Sequence, residues 1–236
     1  MYSFLRLVYF LPFFAFITCI CLTFIKDNVK ASYTHCNVTN VLPSISSVIA
    51  GFEPQRFIWR FCFAIDSLPR YLIGYLQLQR LLNRSHVVFP KIYRIIQIIN
   101  MCIHYLELTF LLLLTYVSSN EQKQIHIVGF IGFVLCSIFH MLCTVLIDYF
   151  WRRTKLICLN DKERYCRSIR LKCFLTHLFS LVISFYFFYR HNRFCEPYIY
   201  SIFCLFEYCV ILTNIAFHST IREEWDHSAG QIQFYY

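Results

Sequence analysis

Two pairings of histidine with an acid carry the reactive chemistry this sequence offers. In His191-Asn192-Arg193-Phe194-Cys195-Glu196 an acid follows a His by five residues. An acid at that spacing can orient a His that acts as general base in acyl transfer. His104 and Glu107 are three residues apart, so on a helix they share one face and form a second base–orienter pair. Transfer of an acyl group to a hydroxyl also needs its oxyanion stabilised, and Arg60, Arg190 or Arg193 could supply the positive charge. The sequence has no GxSxG elbow, HExxH, P-loop or GxGxxG. No Cys/His run has zinc-ligand spacing, and Cys19-Ile20-Cys21 is too close and too apolar, so no metal is expected.

Other polar residues recur at helical spacing inside apolar runs. Asp66 and Arg70 are four apart and can pair on one helical face. Asn100 lies one turn before His104, and His140, Thr144 and Asp148 follow each other at four-residue steps. His177, Ser180 and Ser184 mark a fifth run; Tyr200, Glu207, Asn214 and His218 mark a sixth. An ionisable group in a membrane span costs about 2.5–3.5 kcal/mol on insertion scales and usually faces the bundle interior. Stripes on five runs therefore point to facing helices around a polar cavity that suits a lipid headgroup. The bland alternative is interhelical hydrogen bonding that fixes packing. A second cluster, His35, Cys36, Arg56, Arg60, His126, Arg190, His191, Arg193 and Glu196, falls near the run ends on one side. Its Arg forks match phosphate oxygens.

The elements that hold these residues are read from composition and charge. The chain has 236 residues, 58% hydrophobic and 15% charged, with mean hydropathy +0.52. Average soluble domains are about 25% charged. The apolar residues fall in runs long enough to cross a bilayer, about 20 residues each. The spans are expected at about 4–25, 57–78, 92–117, 125–150, 171–189 and 198–218, all helical, because lipid leaves no partner for unpaired amides. The expectation is an all-α, single-domain polytopic membrane protein with six spans over residues 1–236. The first run is too long for a signal peptide and lacks a small-residue cleavage site. The net charge of +9 does not indicate nucleic acid, since Lys and Arg sit between the apolar runs as topology determinants.

With the N-terminus cytosolic, fourteen Lys and Arg fall on the cytosolic side and seven opposite, with Arg70 inside a span. That bias puts both termini in the cytosol. The basic 152–172 loop could also contact anionic lipid headgroups. Asn37-Val38-Thr39 then lies in the lumen, open to glycosylation at Asn37, while Asn83-Arg84-Ser85 lies on the cytosolic side and stays unmodified. Of 13 Cys, only Cys36 and Cys195 fall in luminal loops, which makes them the natural disulfide pair.

Longer strings carry a resemblance. They are Thr34-His35-Cys36, Leu42-Pro43-Ser44-Ile45-Ser46-Ser47, and Pro54-Gln55-Arg56-Phe57-Ile58-Trp59-Arg60-Phe61-Cys62. Pro69-Arg70, Leu114-Thr115-Tyr116-Val117-Ser118-Ser119 and His140-Met141 continue them. Tyr189-Arg190-His191-Asn192, Cys195-Glu196, Glu207-Tyr208 and Leu212-Thr213-Asn214-Ile215-Ala216-Phe217-His218 close the series. Over about residues 30–218 the chain resembles the post-GPI-attachment-to-proteins factor 2 family, within the Frag/DRAM-type six-span membrane proteins.

The resemblance implies a lipid-remodelling step of GPI-anchor maturation in the Golgi membrane, with the endoplasmic reticulum as a second location. There a lyso-GPI is reacylated with a saturated chain, which supports stable surface display of GPI-anchored proteins. The implied ligands are lyso-GPI, GPI-anchored proteins and membrane lipids, with acyl-CoA or a phospholipid as donor and no other cofactor. Two roles stay open. The chain is either the acyltransferase, with His191 and Glu196 or His104 and Glu107 as its base, or a non-catalytic scaffold that presents lyso-GPI to a separate acyltransferase. Arg56, Arg60, Asp66, Arg70, Arg190, Glu207, Asn214 and His218 are the expected substrate-binding residues. A transporter fits less well, because the runs show no Gly/Pro-broken half-helices.

Overall fold

A computed structural model describes residues 2–82, 89–150 and 161–232; side chains of 2–9, 162–163 and 222–232 are left aside. The Asn83 sequon, residues 152–160 of the basic loop and Cys158 lie outside the described residues. The described residues form helices and no strands: α1 (Tyr2–Lys26), α2 (Asn28–Ala31), α3 (Ile45–Gly51), α4 (Gln55–Leu82), α5 (Pro90–Tyr116), α6 (Lys123–Phe150), α7 (Asp161–Phe194) and α8 (Ile199–Ile232). Each of the six expected runs lies within or close to one long helix. The fifth and sixth are embedded in 34-residue helices, much longer than their apolar stretches. Helix α7 begins on polar residues that hydropathy does not count, yet Cys166 and Arg170 on its first turns are buried.

Four helical stretches are long and apolar enough to cross a membrane: Pro90–Tyr116, Lys123–Phe150, Arg164–Phe194 and Ile199–Ile221. Helix α4 carries too many charges to qualify by composition, and its burial explains them. Phe57, Phe61, Leu68 and Leu72 face outward, more than half exposed, whereas Asp66 and Arg70 are buried. An exposed apolar stripe backed by a buried polar one is inverted relative to a soluble amphipathic helix, and it suits a helix whose solvent is lipid.

Packing fixes where the polar residues meet. One apolar cluster joins Ala15, Phe16 and Cys19 of α1 to Ile45, Val48 and Ile49 of α3 and to Trp59, Cys62 and Phe63 of α4. Another joins Phe133 and Val134 of α6 to Leu181 of α7 and Val210 of α8. Helices α5 and α6 approach closely at Gly132, where an added Cβ would lie 2.6 Å from the Phe110 ring. Small residues permit such approach in lipid, where packing rather than water drives association. Gly132→Ala is expected to destabilise the fold by about 1–3 kcal/mol, as overpacking does, read as a lower thermal midpoint of the purified protein in detergent.

The short α3 was not foreseen, since it is an interrupted apolar stretch too brief to span. Ser44 caps it, its hydroxyl accepting from the Ser47 amide at 3.1 Å. Glu207 of α8 accepts from the Ile45 amide at 3.2 Å. A disulfide joins Cys36, in the loop after α2, to Cys195, just past α7, with Cα atoms 5.2 Å apart. It ties the 32–44 loop to the α7–α8 turn, where the Tyr198 amide also donates to the Thr39 carbonyl. This end of the bundle is termed the disulfide end.

Candidate functional site

The polar stripes converge deep in the bundle. Helix α5 supplies Asn100, His104 and Glu107, α6 supplies His140, and α8 supplies Asn214 and His218; all six are buried. Each lies on its helix's inward stripe, at the three- or four-residue steps that keep side chains on one face. Glu107 is the hub. Its Oε1 accepts from Asn214 Nδ2 at 2.7 Å and from His218 Nε2 at 3.0 Å. Its Oε2 lies 3.5 Å from His104 Nδ1. The His104 ring is 4.7 Å from that of His140 and 4.9 Å from that of His218, centroid to centroid, and His140 and His218 are 5.4 Å apart. Asn100 Nδ2 donates to Thr144 Oγ1 at 3.0 Å, which turns its carbonyl oxygen toward His140 Nδ1, also at 3.0 Å. That oxygen can only accept, so His140 carries its proton on Nδ1 and leaves a lone pair on Nε2.

Two cavities adjoin this cluster. The first encloses about 90 Å³ of space open to water-sized molecules, within about 890 Å³ of empty volume when its mouth is included. Its walls are apolar, with Trp59, Phe63, Phe133 and Leu181 among them, and Arg70, Asn214 and Glu207 supply polar points. Asn214 lines this cavity and donates to Glu107, so the cavity ends at the cluster. A wider vestibule at the disulfide end shares Ser46, His126, Phe130, Phe203 and Glu207 with the first cavity and carries Lys30 and Lys123. The second cavity meets the cluster directly. His104, His140, Asn100, Thr144, Asp148 and Arg170 line part of it.

Of the two base–orienter pairs expected from spacing, the bundle assembles one. His104 and Glu107 join the buried cluster. His191 and Glu196 do not pair: both Glu196 oxygens accept from Arg190, at 2.6 and 2.9 Å, while His191 Nε2 shares a hydrogen bond with Thr34 Oγ1 at 3.1 Å. The reason is the guanidinium fork, which binds a carboxylate with two parallel bonds that a single imidazole cannot match. Those bonds hold the Glu196 carboxyl below its usual range.

Arg60 also takes a place other than the cavity. It donates to the Thr115 and Tyr116 carbonyls at the end of α5 and to Glu121 at 3.3 Å. Arg56 sits 3.8 Å from the same Glu121 and 3.5 Å from Glu53. Hydrogen bonds with Ser118, and then the two Arg, hold Glu121 below the usual carboxylate range. The charges of Arg56, Arg60 and Arg190, three of the expected substrate-binding residues, are taken up by Glu53, Glu121 and Glu196. Asp66 and Arg70 do pair, 3.3 Å apart. His177 is held between Ser137 and Thr213 at 3.3 and 3.1 Å, as a satisfied core histidine. Among the cluster's members, His140 was visible only as part of a stripe, and Lys30 and Lys123 carried no signal beyond loop charge.

The chain is similar to several proteins over most of its length. It is 36% identical over 218 residues to a frog (Xenopus tropicalis) protein named acyltransferase PGAP2, covering 92% of this chain and 83% of that one. It is 33% identical over 220 residues to post-GPI attachment to proteins factor 2 of Drosophila melanogaster, covering 93% and 82%. The protein of that name in Caenorhabditis elegans is 34% identical over 214 residues, covering 89% and 80%. No solved structure matches the chain. The family model described as the Frag1/DRAM/Sfk1/Cwh43P N-terminal domain matches residues 1–228, and this multi-pass membrane protein belongs to that family.

Proposed function

We propose that this chain reacylates lyso-GPI, acting itself as the acyltransferase in the lipid-remodelling step of GPI-anchor maturation. The observation that carries the proposal is continuity: a lysine-bearing vestibule leads into an apolar cavity whose floor touches the buried His–Glu cluster. The names of the relatives place the chemistry in GPI-anchor remodelling. In this reading the disulfide end is luminal, because an oxidising compartment maintains such a bond. All six long helices span, α1 and α4 included, with both termini cytosolic, and the protein resides in the Golgi membrane.

Lyso-GPI then enters past Lys30 and Lys123, which draw its phosphate to the vestibule, and its glycerol and chain move down the apolar cavity toward the cluster. The free hydroxyl of the glycerol reaches the cluster. It attacks the carbonyl carbon of a saturated acyl thioester delivered to the second cavity. The C–O bond forms and the C–S bond breaks. The hydroxyl proton passes to the imidazole–carboxylate cluster and leaves on the departing thiolate. Burial makes each electrostatic contact at the reacting atoms stronger than it would be in water.

Reconstitution of the purified chain in lipid with lyso-GPI and stearoyl-CoA, with the product read by mass spectrometry, tests this. Turnover above empty vesicles is the expected result. Binding without turnover would instead support a scaffold that hands lyso-GPI to another enzyme. The vestibule has its own check. Two lysines at about 1 kcal/mol each give the double variant Lys30→Ala, Lys123→Ala a loss of roughly ten- to thirtyfold in lyso-GPI affinity. Unchanged affinity would remove the vestibule from the substrate path.

A further inference from the structure

We infer that His104, Glu107, His140 and His218 form a binding site for one divalent transition-metal ion, with zinc as the metal of best chemical fit. Each of the four offers one ligand atom, and the four atoms lie within 4.8 Å of one another. All four side chains are more than nine-tenths buried. Each also keeps one buried polar atom with no hydrogen-bond partner: His104 Nδ1, Glu107 Oε2, His140 Nε2 and His218 Nδ1. Buried polar atoms are nearly always satisfied, so four such atoms gathered in one place, the closest contact among them the 3.5 Å from His104 Nδ1 to Glu107 Oε2, point to an occupant.

The protons around the cluster say what kind of occupant. His140 gives its Nδ1 proton to Asn100, so Nε2 presents a lone pair. A carboxylate only accepts, so His218 gives its Nε2 proton to Glu107 Oε1 and Nδ1 presents another. Glu107 Oε2 is a third lone-pair atom. The nearest donor to these three is His104 Nδ1, a long 3.5 Å from Glu107 Oε2, so the centre of the cluster is electron-rich. The same hydrogen bonds form an outer shell, in which Asn100 fixes the His140 tautomer and Asn214 fixes the Glu107 rotamer. Such partners are how proteins orient imidazole and carboxylate ligands.

Three imidazoles and a carboxylate are borderline ligands in a four-atom set, which suits zinc. Zinc–nitrogen bonds of about 2.0–2.1 Å in tetrahedral array put ring centroids about 5 Å apart. The observed 4.7, 4.9 and 5.4 Å match that spacing. The ligand atoms would settle about 3.4 Å apart, so no pair closes by more than roughly 1.4 Å on binding. The other cluster of metal-binding residue types, His35 with Cys36 and Cys195, is not a rival, because its sulfurs are joined in the disulfide.

With the ion bound, it rather than a free imidazole would polarise the attacking hydroxyl, as a fifth ligand; metal content is read without turnover, so this inference and the proposed function fail separately. The full chain, purified in detergent and desalted, is analysed for zinc, iron, copper and manganese by plasma mass spectrometry. About one zinc per chain is expected, with nitrogen and oxygen scatterers at about 2.0–2.1 Å in X-ray absorption. His140→Ala and His218→Gln should each weaken retention by at least about tenfold, and His35→Ala should not. If either variant fails to fold, chelated wild-type protein serves instead: added Zn²⁺ should raise its thermal midpoint, as a ligand selective for the native state does. Fewer than about one ion per ten chains in folded wild-type protein, with no thermal response to Zn²⁺, would overturn the site. So would zinc fully retained in folded His140→Ala and His218→Gln.

Discussion

Glu107→Gln will abolish reacylation while lyso-GPI remains bound, with a fall of about 10²–10⁴-fold in turnover, the usual contribution of acid–base machinery. The substitution is isosteric. Its amide oxygen can still accept from Asn214 and His218, the two bonds that hold the side chain in place. What changes is the other atom. An amide NH₂ replaces the carboxylate oxygen 3.5 Å from His104, so the cluster loses its only negative charge. The apolar cavity keeps its walls, because Glu107 is not among its lining residues, and affinity for lyso-GPI should hold. A detergent melting curve like that of wild type would show the loss to be chemical rather than structural. Glu107→Gln with wild-type turnover would take the catalytic step away from this cluster and return the chain to the scaffold role. Glu196→Gln makes the useful contrast. Glu196 is tied to Arg190 at the rim, so its loss should weaken that ion pair and leave turnover near wild type.

The difference between those two acids marks how far the sequence can be read. Within a helix, spacing settles which side chains share a face, so His104 with Glu107 and Asp66 with Arg70 were legible as pairs, and Asn214 and His218 as members of one stripe. The Cys36–Cys195 bond was legible too, because topology left only two thiols in luminal loops. Beyond one helix, spacing says nothing. That His140 of α6 meets α5 and α8 depends on how the helices rotate and cross, which packing at positions such as Gly132 decides. At helix ends the local pattern misled. His191 and Glu196 straddle the end of α7, where the chain leaves the helix, so their five-residue separation no longer fixes a distance. Arg190, one residue before His191, then captures the acid. Arg60 was grouped with the residues near the run ends. It lies only one turn from the start of α4, close enough for its long side chain to reach the α5 carbonyls and Glu121.

The buried pair on α4 gives the second large effect. Asp66→Leu should destabilise the protein by about 3–5 kcal/mol, because it leaves the Arg70 guanidinium buried beside the cavity without its acid. Both side chains are almost wholly enclosed, at 1% and 6% exposure, so water cannot take the place of the lost partner. Arg70→Met should cost a comparable amount by stranding Asp66 in turn. The double variant should recover much of either loss, since replacing both members of a buried pair by apolar groups is often close to neutral. A double-mutant cycle on thermal midpoints, in detergent or lipid, reads this as strong non-additivity. The pair's retention in the fold then needs a reason other than stability, and its position supplies one. Arg70 lines the apolar cavity that ends at the His–Glu cluster. The double variant should therefore be stable and yet bind lyso-GPI or turn it over poorly. A stable double variant with wild-type activity would make the pair a packing element only. If the two losses simply add instead, Arg70 has found another partner and the charges were never held by each other.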